Sequence, residues 1–288
     1  MTTEERKTKV AFQGERGAFS ETAAVLMLGD SIETEPRPTF ESLFAAIDNR
    51  SSDLILAPVE NTLAGTVHRS YELLIESGLH IIAECIIQIE HHLIGCENAT
   101  LDSIRIVESH PVALAQCERF FIANPQIERR ASNDTAASVR RVVENKDSKT
   151  AAIASKRAAD IYEGKILLGN IEDHTENYTR FFLLSNEQVV EPNADKISLV
   201  IRLAHKPGAL YQALKPFAEK EINLLKIESS PIKGTPWEYR FYLDLQSHIE
   251  SEEMIWALRE IREHTTEIKI LGCYKSAQTK FRTADIEG

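Results

Sequence analysis

The sequence predicts an α/β chain in two parts, because strand, polar turn and helix alternate through about residue 186 and the order βαββαβ follows. A short, nearly continuous apolar run, Asp53-Leu-Ile-Leu-Ala57, reads as a strand covered on both faces, as in a mostly parallel sheet. At 288 residues the chain exceeds what one core of typical size needs, so two or three folding units are expected.

The elements follow in order. Val10 to Phe12 reads as the first strand, then Gly14-Glu-Arg-Gly17, then a helix from Glu21 to about Leu28. Thr39 caps a second helix, with Phe40, Leu43, Phe44 and Ile47 on one face. The strand at 53–57 runs into Pro58-Val-Glu60-Asn61. Ile104 to Val107 leads through Ser109-His-Pro111 into a helix over Val112 to Phe121, and Ile127 to Arg130 leads through Ser132-Asn-Asp-Thr135 into one over Ala136 to Glu144. Ala151 to Ala154 then runs through Ser155 into another helix. In open α/β sheets such turns lie at the carboxyl ends of the strands, where ligands bind, so these polar residues are drawn towards one cleft.

Asn186 to Asp195 is polar and aperiodic and reads as a linker between domains at 8–186 and 196–276. After it come a strand at Ile197–Leu203, a helix at Gly208–Lys220, strands at Ile222–Glu228 and Glu238–Leu245, a helix at Ser251–His264 and a strand at Ile268–Tyr274. That order is a ferredoxin-like unit. The polar tail from Ser276 to Gly288 is expected to fray.

Composition narrows the partners. Hydrophobic residues at 43% and charged residues at 27% match an ordinary globular protein, and a net charge of -11 argues against nucleic acid or an anionic membrane surface as the main partner. The longest apolar stretches, such as Ile81 to Ile89, are broken by Glu84 and Gln88 and are too short to span a bilayer. The charged start, MTTEERKTK, has no apolar signal region, so the cytoplasm is the expected compartment. Cys85, Cys96, Cys117 and Cys273 form no CxxC pair and read as buried free thiols. His91 and His92 are adjacent, and neighbours on a strand point to opposite faces, so no metal site is expected.

Four groups of residues could carry chemistry. In Gly14 to Ser20 the glycines allow a tight turn, and the amides of the following helix start suit a carboxylate or phosphate; a plain turn explains the same residues. Glu60 and Asn61 set an acceptor beside a donor, suited to a hydroxylated anionic ligand, or else cap a helix. Ser109 caps the helix opened by Pro111 or lines a site, and Gln116 is either a site residue or a solvated helix position. Thr175, Asn177, Thr179 and Arg180 precede the apolar run Phe181 to Leu184. A threonine hydroxyl there can donate a hydrogen bond to a departing hydroxide in a dry site, and Arg180 can fork onto a carboxylate; both also suit an ordinary strand.

Taken together, the motifs resemble the prephenate dehydratase family over nearly the whole chain. GERGAFS resembles its N-terminal Gly-rich loop, PVENTLAGTV its Glu-Asn motif, SHPVALAQC its Ser-His-Pro motif, SNDTAAS the loop that follows and NYTRF its Thr-Arg-Phe motif. KPGALYQAL and INLLKIESSP resemble the family's phenylalanine-binding ACT domain. The resemblance implies a two-lobed catalytic domain like a type II periplasmic binding protein, with the site between its lobes, plus an ACT regulatory domain. It implies decarboxylating dehydration of prephenate to phenylpyruvate, a carbon-oxygen lyase reaction that needs no cofactor. Arogenate dehydratase activity and a non-catalytic amino-acid sensor are the alternatives. Carried over to this chain, Thr179 is the donor to the leaving hydroxyl, with Glu60 and Gln116 also catalytic; Asn61, Ser109 and Thr135 line the pocket, and Arg180, Gly17 and Ser20 are candidates for the substrate carboxylates.

The same resemblance implies phenylalanine as effector, held by Gly208, Ala209 and Leu210 at one turn and by Asn223, Leu224, Glu228 and Ser229 along a strand. Two positions depart from the family pattern. Ser230 stands where an Arg is usual and Glu221 where a Gly is usual. Side-by-side pairing of ACT domains implies a homodimer or homotetramer.

Overall fold

The computed structural model describes residues 6–232, 234–235, 237–277 and 280–281. They form two compact units. The first takes the described residues through Ser70, those from Cys85 to Phe181, and 280–281; the second takes Tyr71–Glu84 and the described residues from Phe182 to 277.

The chain opens with β1 (Lys9–Gln13), α1 (Phe19–Leu28), β2 (Glu33–Arg37), α2 (Phe40–Asp48), β3 (Leu54–Asn61), β4 (Gly65–Thr66), α3 (His68–Ser77) and β5 (His80–Gln88). It continues through β6 (His92–Gly95), β7 (Ile106–Ser109), α4 (Pro111–Ala115), α5 (Glu118–Ala123), β8 (Glu128–Ala131), α6 (Thr135–Asn145), β9 (Thr150–Ala154), α7 (Lys156–Tyr162) and β10 (Lys165–Leu168). It returns along β11 (Tyr178–Ser185), then forms β12 (Lys196–Arg202), α8 (Ala209–Glu219), β13 (Asn223–Pro231), β14 (Tyr239–Gln246), α9 (Glu252–Arg262), β15 (Glu267–Tyr274) and β16 (Lys280–Phe281). The division between the units falls within α3, between β5's Glu84 and Cys85, and between β11's Phe181 and Phe182.

The first unit is built on two sheets, as in a periplasmic-binding-protein-like fold. One has the order β16-β5-β11-β3-β1-β2, with β4 paired to β3; the other has the order β10-β6-β9-β7-β8. β1 runs parallel to both β2 and β3, and β7 runs parallel to both β8 and β9. Strand alternation explains how a strand as plain as β9 holds its place. Ala151 and Ile153 enter one core with Leu93, Val107 and Phe121, while Ala152 and Ala154 enter another with Val139, Val142 and Ala158. Thr39 caps α2 by accepting from the Ser42 amide, as its sequence position predicts.

One predicted element is different. The helix expected over Val112 to Phe121 is two helices, broken at Gln116 and Cys117, because Asp173 accepts from the amides of Glu118 and Arg119 and so starts a new helix there. Of the tail expected to fray, Lys280 and Phe281 pair in parallel with Ile86 and Ile87 of β5; 278–279 and 282–288 lie outside the described residues.

In the second unit the antiparallel sheet has the order β13-β14-β12-β15. Ile197, Leu199 and Ile201 of β12 face a core completed by Ala213 and Phe217 of α8 and by Met254, Ala257 and Ile261 of α9. The alternate residues face the other way. There Ser198 donates to Asp244 at 2.5 Å and bonds the Tyr274 hydroxyl at 2.6 Å, and Tyr71 packs on Tyr242 with ring centroids 4.5 Å apart. The 71–84 segment sits so close to this face that a Cβ on Gly272 would lie 2.2 Å from the Ile81 carbonyl oxygen. Glu84, which interrupts the apolar run of β5, is fully buried as a side chain and pairs with Lys196 at 2.5 Å.

Glu221, where a family glycine is usual, has φ +54°, the left-handed region in which a Cβ is strained. Glu221→Gly is therefore expected to stabilise the fold by up to about 1 kcal/mol. A thermal or chemical melt checks this; an unchanged or lowered midpoint refutes it.

Candidate active site

A cavity of about 340 Å³ lies within the first unit, lined by strands β1, β3 and β11 of one sheet and by the turns and helix starts that follow β7 and β8 of the other. The ends of β3 and β11 contribute Asn61 and Thr179, the start of α1 contributes Ser20, the break between α4 and α5 contributes Gln116, and the start of α6 contributes Thr135. These five are sequence-predicted residues from distant parts of the chain. Four of them lie at or beyond the carboxyl ends of strands, as open-sheet geometry favours, while Thr179 stands at the amino end of β11.

Their polarity can be read from the backbone outward. Asn61 turns its side-chain carbonyl onto the amides of Leu63 and Ala64, at 3.0 and 2.8 Å. Its Nδ2 must then face the other way, where it donates to Asn177 Oδ1 at 2.8 Å, the Tyr178 carbonyl at 3.1 Å and Thr179 Oγ at 3.0 Å. With its Oδ1 so occupied, Asn177 donates through Nδ2 to Gln116 Oε1 at 3.1 Å. The same Gln116 oxygen lies 2.8 Å from His91 Nε2, and an oxygen accepts only, so His91 carries its proton on Nε2. Thr179 receives from Asn61 and keeps its own proton to give. Gln116 keeps its amino group.

His91 and Asn177 complete this chain, and neither was assigned a role from sequence. His91 lines the cavity, is 2% exposed and meets Phe19 edge-on at 5.6 Å; Asn177 is fully buried. Burial pushes the imidazole down to about 4, against its hydrogen bond with Gln116, so it is neutral. The signal available was the adjacent pair His91-His92: His91 lies in the link between β5 and β6, while His92 begins β6 and its Nδ1 accepts from the Asn170 amide.

Four predicted residues are not brought to the cavity lining. Glu60 and Arg180 are the strand neighbours of Asn61 and Thr179, so both fall on the opposite face, where they pair with each other at 3.7 Å. Ser109 is fully buried and donates to the Ile153 carbonyl at 2.6 Å. The Gly17 amide already holds an anion belonging to the protein: it donates to Glu21 at 2.7 Å. Burial opposes the charge of Glu21, but Gly17, Arg157 and Thr34 together hold its carboxyl below the usual range. Gly17 has φ +86°, and a Cβ there would lie 2.7 Å from Ala158 Cα, so this glycine serves a close backbone approach.

Among the described residues, those lining the cavity include Asp134 and His110 but no Lys or Arg. No group of three or more His, Cys, Asp or Glu among them is arranged to hold a metal ion. No described helix is long and apolar enough to cross a membrane.

Residues 10–189 match the family described as Prephenate dehydratase, and residues 197–263 match the ACT domain. The chain belongs to the prephenate dehydratase family. A curated relative, arogenate dehydratase/prephenate dehydratase 1 of Arabidopsis thaliana, is 37% identical over 288 residues, covering 94% of this chain and 73% of its own. The Arthrobacter aurescens prephenate dehydratase in complex with L-Phe aligns with a TM-score of 0.84 at 25% identity, covering 93% of this chain and 90% of that one. A solved structure described as GqqA, a novel type of quorum quenching acylase, aligns at 0.86 with 32% identity, covering 94% and 98%.

A second cavity, about 140 Å³, lies in the second unit within the stretches Leu203–Leu210 and Trp237–Phe241. Of the effector residues predicted for the family's ACT domain, Ala209 and Leu210 line it, and Gly208 caps α8 with φ +78°. Asn223, Leu224, Glu228 and Ser229 instead run along β13, at the sheet edge, and do not line it.

The buried imidazole has a consequence for acid stability. Its folded pKa lies below the unfolded value of 6.5, so the unfolded chain takes the proton first, and stability is lost as pH falls from 6.5 towards 4. The loss attributable to this group is about 3 kcal/mol. Denaturant melts at pH 7.5 and 4.5 are expected to show a smaller acid loss for His91→Gln than for the unsubstituted protein; equal losses refute it.

Proposed function

We propose that the chain catalyses the decarboxylating dehydration of prephenate to phenylpyruvate. The ring carboxylate leaves as carbon dioxide, the electrons of its C–C bond enter the ring, and the ring hydroxyl departs with its C–O electrons, held by a hydrogen bond from Thr179, and becomes water with a proton drawn ultimately from solvent. Aromatisation drives the reaction, so the protein need supply orientation, exclusion of water and a donor where negative charge develops. The observation that carries this reading is Thr179, which lines the cavity and whose hydroxyl accepts from Asn61, so that its own proton remains to be given to a ligand. Gln116, Ser20 and Thr135 supply further polar contacts, and Phe19, Phe40 and Phe181 supply the apolar walls.

Thr179→Val keeps the shape and removes the donor. It is expected to lower kcat by about 100-fold or more with little change in KM, followed as carbon dioxide release. An unchanged kcat sinks the assignment. A second substrate is supported by one observation: Asp134 puts a carboxylate on the cavity wall, a partner for the ammonium group of arogenate. Running both substrates side by side separates the two readings. An acyl-hydrolase reading is disfavoured by the same hydroxyl, since no base among the described residues is hydrogen-bonded to Thr179.

The catalytic and regulatory domains are assigned to 8–186 and 196–276, in the cytoplasm, with phenylalanine as effector of the second. Support for the effector comes from the α8 turn at the second cavity. Assembly as a homodimer or homotetramer is supported by the edge strand β13, which exposes Leu225 and Ile227. Titration calorimetry is expected to show phenylalanine binding with a parallel fall in activity; no heat and no inhibition overturn the effector assignment alone.

A further inference from the structure

We infer that His91 is a positioning residue: its neutral imidazole donates from Nε2 to Gln116 and aims the Gln116 amino group at the substrate. This rests on the reading of the cavity as a prephenate site. Two independent features agree on the tautomer. The orientation of Gln116 is dictated through Asn177 and Asn61 by the Leu63 and Ala64 amides, which leaves His91 Nε2 facing an acceptor. The other ring nitrogen, Nδ1, is buried with no hydrogen-bond partner. A bare lone pair there costs less than an unpaired N–H, so the same proton placement follows.

The arrangement engages every polar group of Gln116 except its amino group. Its backbone carbonyl accepts from the Asp173 amide at 2.7 Å, which anchors the helix break, and its side-chain oxygen takes two donors, Asn177 and His91. Without His91 the carboxamide keeps a single tether and can rotate about its last torsion, turning its oxygen to where a donor is needed. Phe19 packs edge-to-face with the imidazole and helps to hold its plane.

The test is a double-mutant cycle on prephenate turnover. His91→Leu is expected to lower kcat/KM by about 10- to 100-fold, and His91→Gln, whose Nε2 can reach the same acceptor, to recover most of that loss. In a Gln116→Ala background His91→Leu is expected to cost less than about 2-fold, because nothing remains to be aimed. Equal losses in both backgrounds, or no recovery by Gln, overturn the inference in favour of packing alone. Nitrogen NMR of the unsubstituted protein at pH 7 gives a readout that needs no variant to fold: His91 should show protonated Nε2 and bare Nδ1, and the opposite tautomer refutes it. If His91→Leu is silent while Thr179→Val is inactive, only His91's role falls; if both are silent while prephenate is still turned over, the assignment of this cavity as the reaction site falls as well.

Discussion

Two backbone amides, those of Leu63 and Ala64, set the direction of the hydrogen-bond chain that joins Asn61, Asn177, Gln116, His91 and Thr179. By engaging the Asn61 carbonyl they leave its amino group only one way to point, and the polarity passes from there to Asn177, Gln116 and His91 on one branch and to Thr179 on the other. Amide side chains are nearly symmetric in shape and would otherwise be free to flip. A turn of main chain, whose donors cannot be reversed, removes that freedom. The site thus inherits its donor and acceptor pattern from the backbone, and side-chain packing needs only to preserve it.

Much of the architecture was legible because periodicity reports burial directly. The strand at 53–57, the Thr39 cap and the βαββαβ order all follow from it, and the cap is present with the partner its spacing predicts. The site was legible only in part. Motifs group residues that are adjacent in sequence, whereas a strand sends neighbours to opposite faces. Glu60 with Asn61, and Arg180 with Thr179, are therefore pairs of which one member reaches the cavity and the other a salt bridge behind it. The Gly-rich loop has the anion-binding amide that its sequence implies, but Glu21, four residues on, occupies it. Such competition between an internal and an external ligand leaves no mark on spacing.

His91 escaped the sequence reading as a site residue, and Asn177 was grouped with Thr179 but given no role, for a different reason. Neither residue type announces a role, and each matters through what it holds in place, which requires knowing that β11 and the α4–α5 break approach the same point. The break itself depends on Asp173, more than fifty residues from the helix it interrupts. Helical periodicity continues smoothly through Gln116, and only a tertiary hydrogen bond decides that the helix stops there.

The cavity wall carries amides, hydroxyls, imidazole, aromatic rings and one carboxylate, that of Asp134, with no guanidinium or ammonium among its described residues. For a carboxylate that must depart as an uncharged gas, a fixed cation beside it would deepen the resting state and be forfeited as the charge moves into the ring. On the proposed function, a lining poor in cations leaves the departing group weakly held from the outset, so that holding the substrate and releasing its carbon dioxide need not oppose each other.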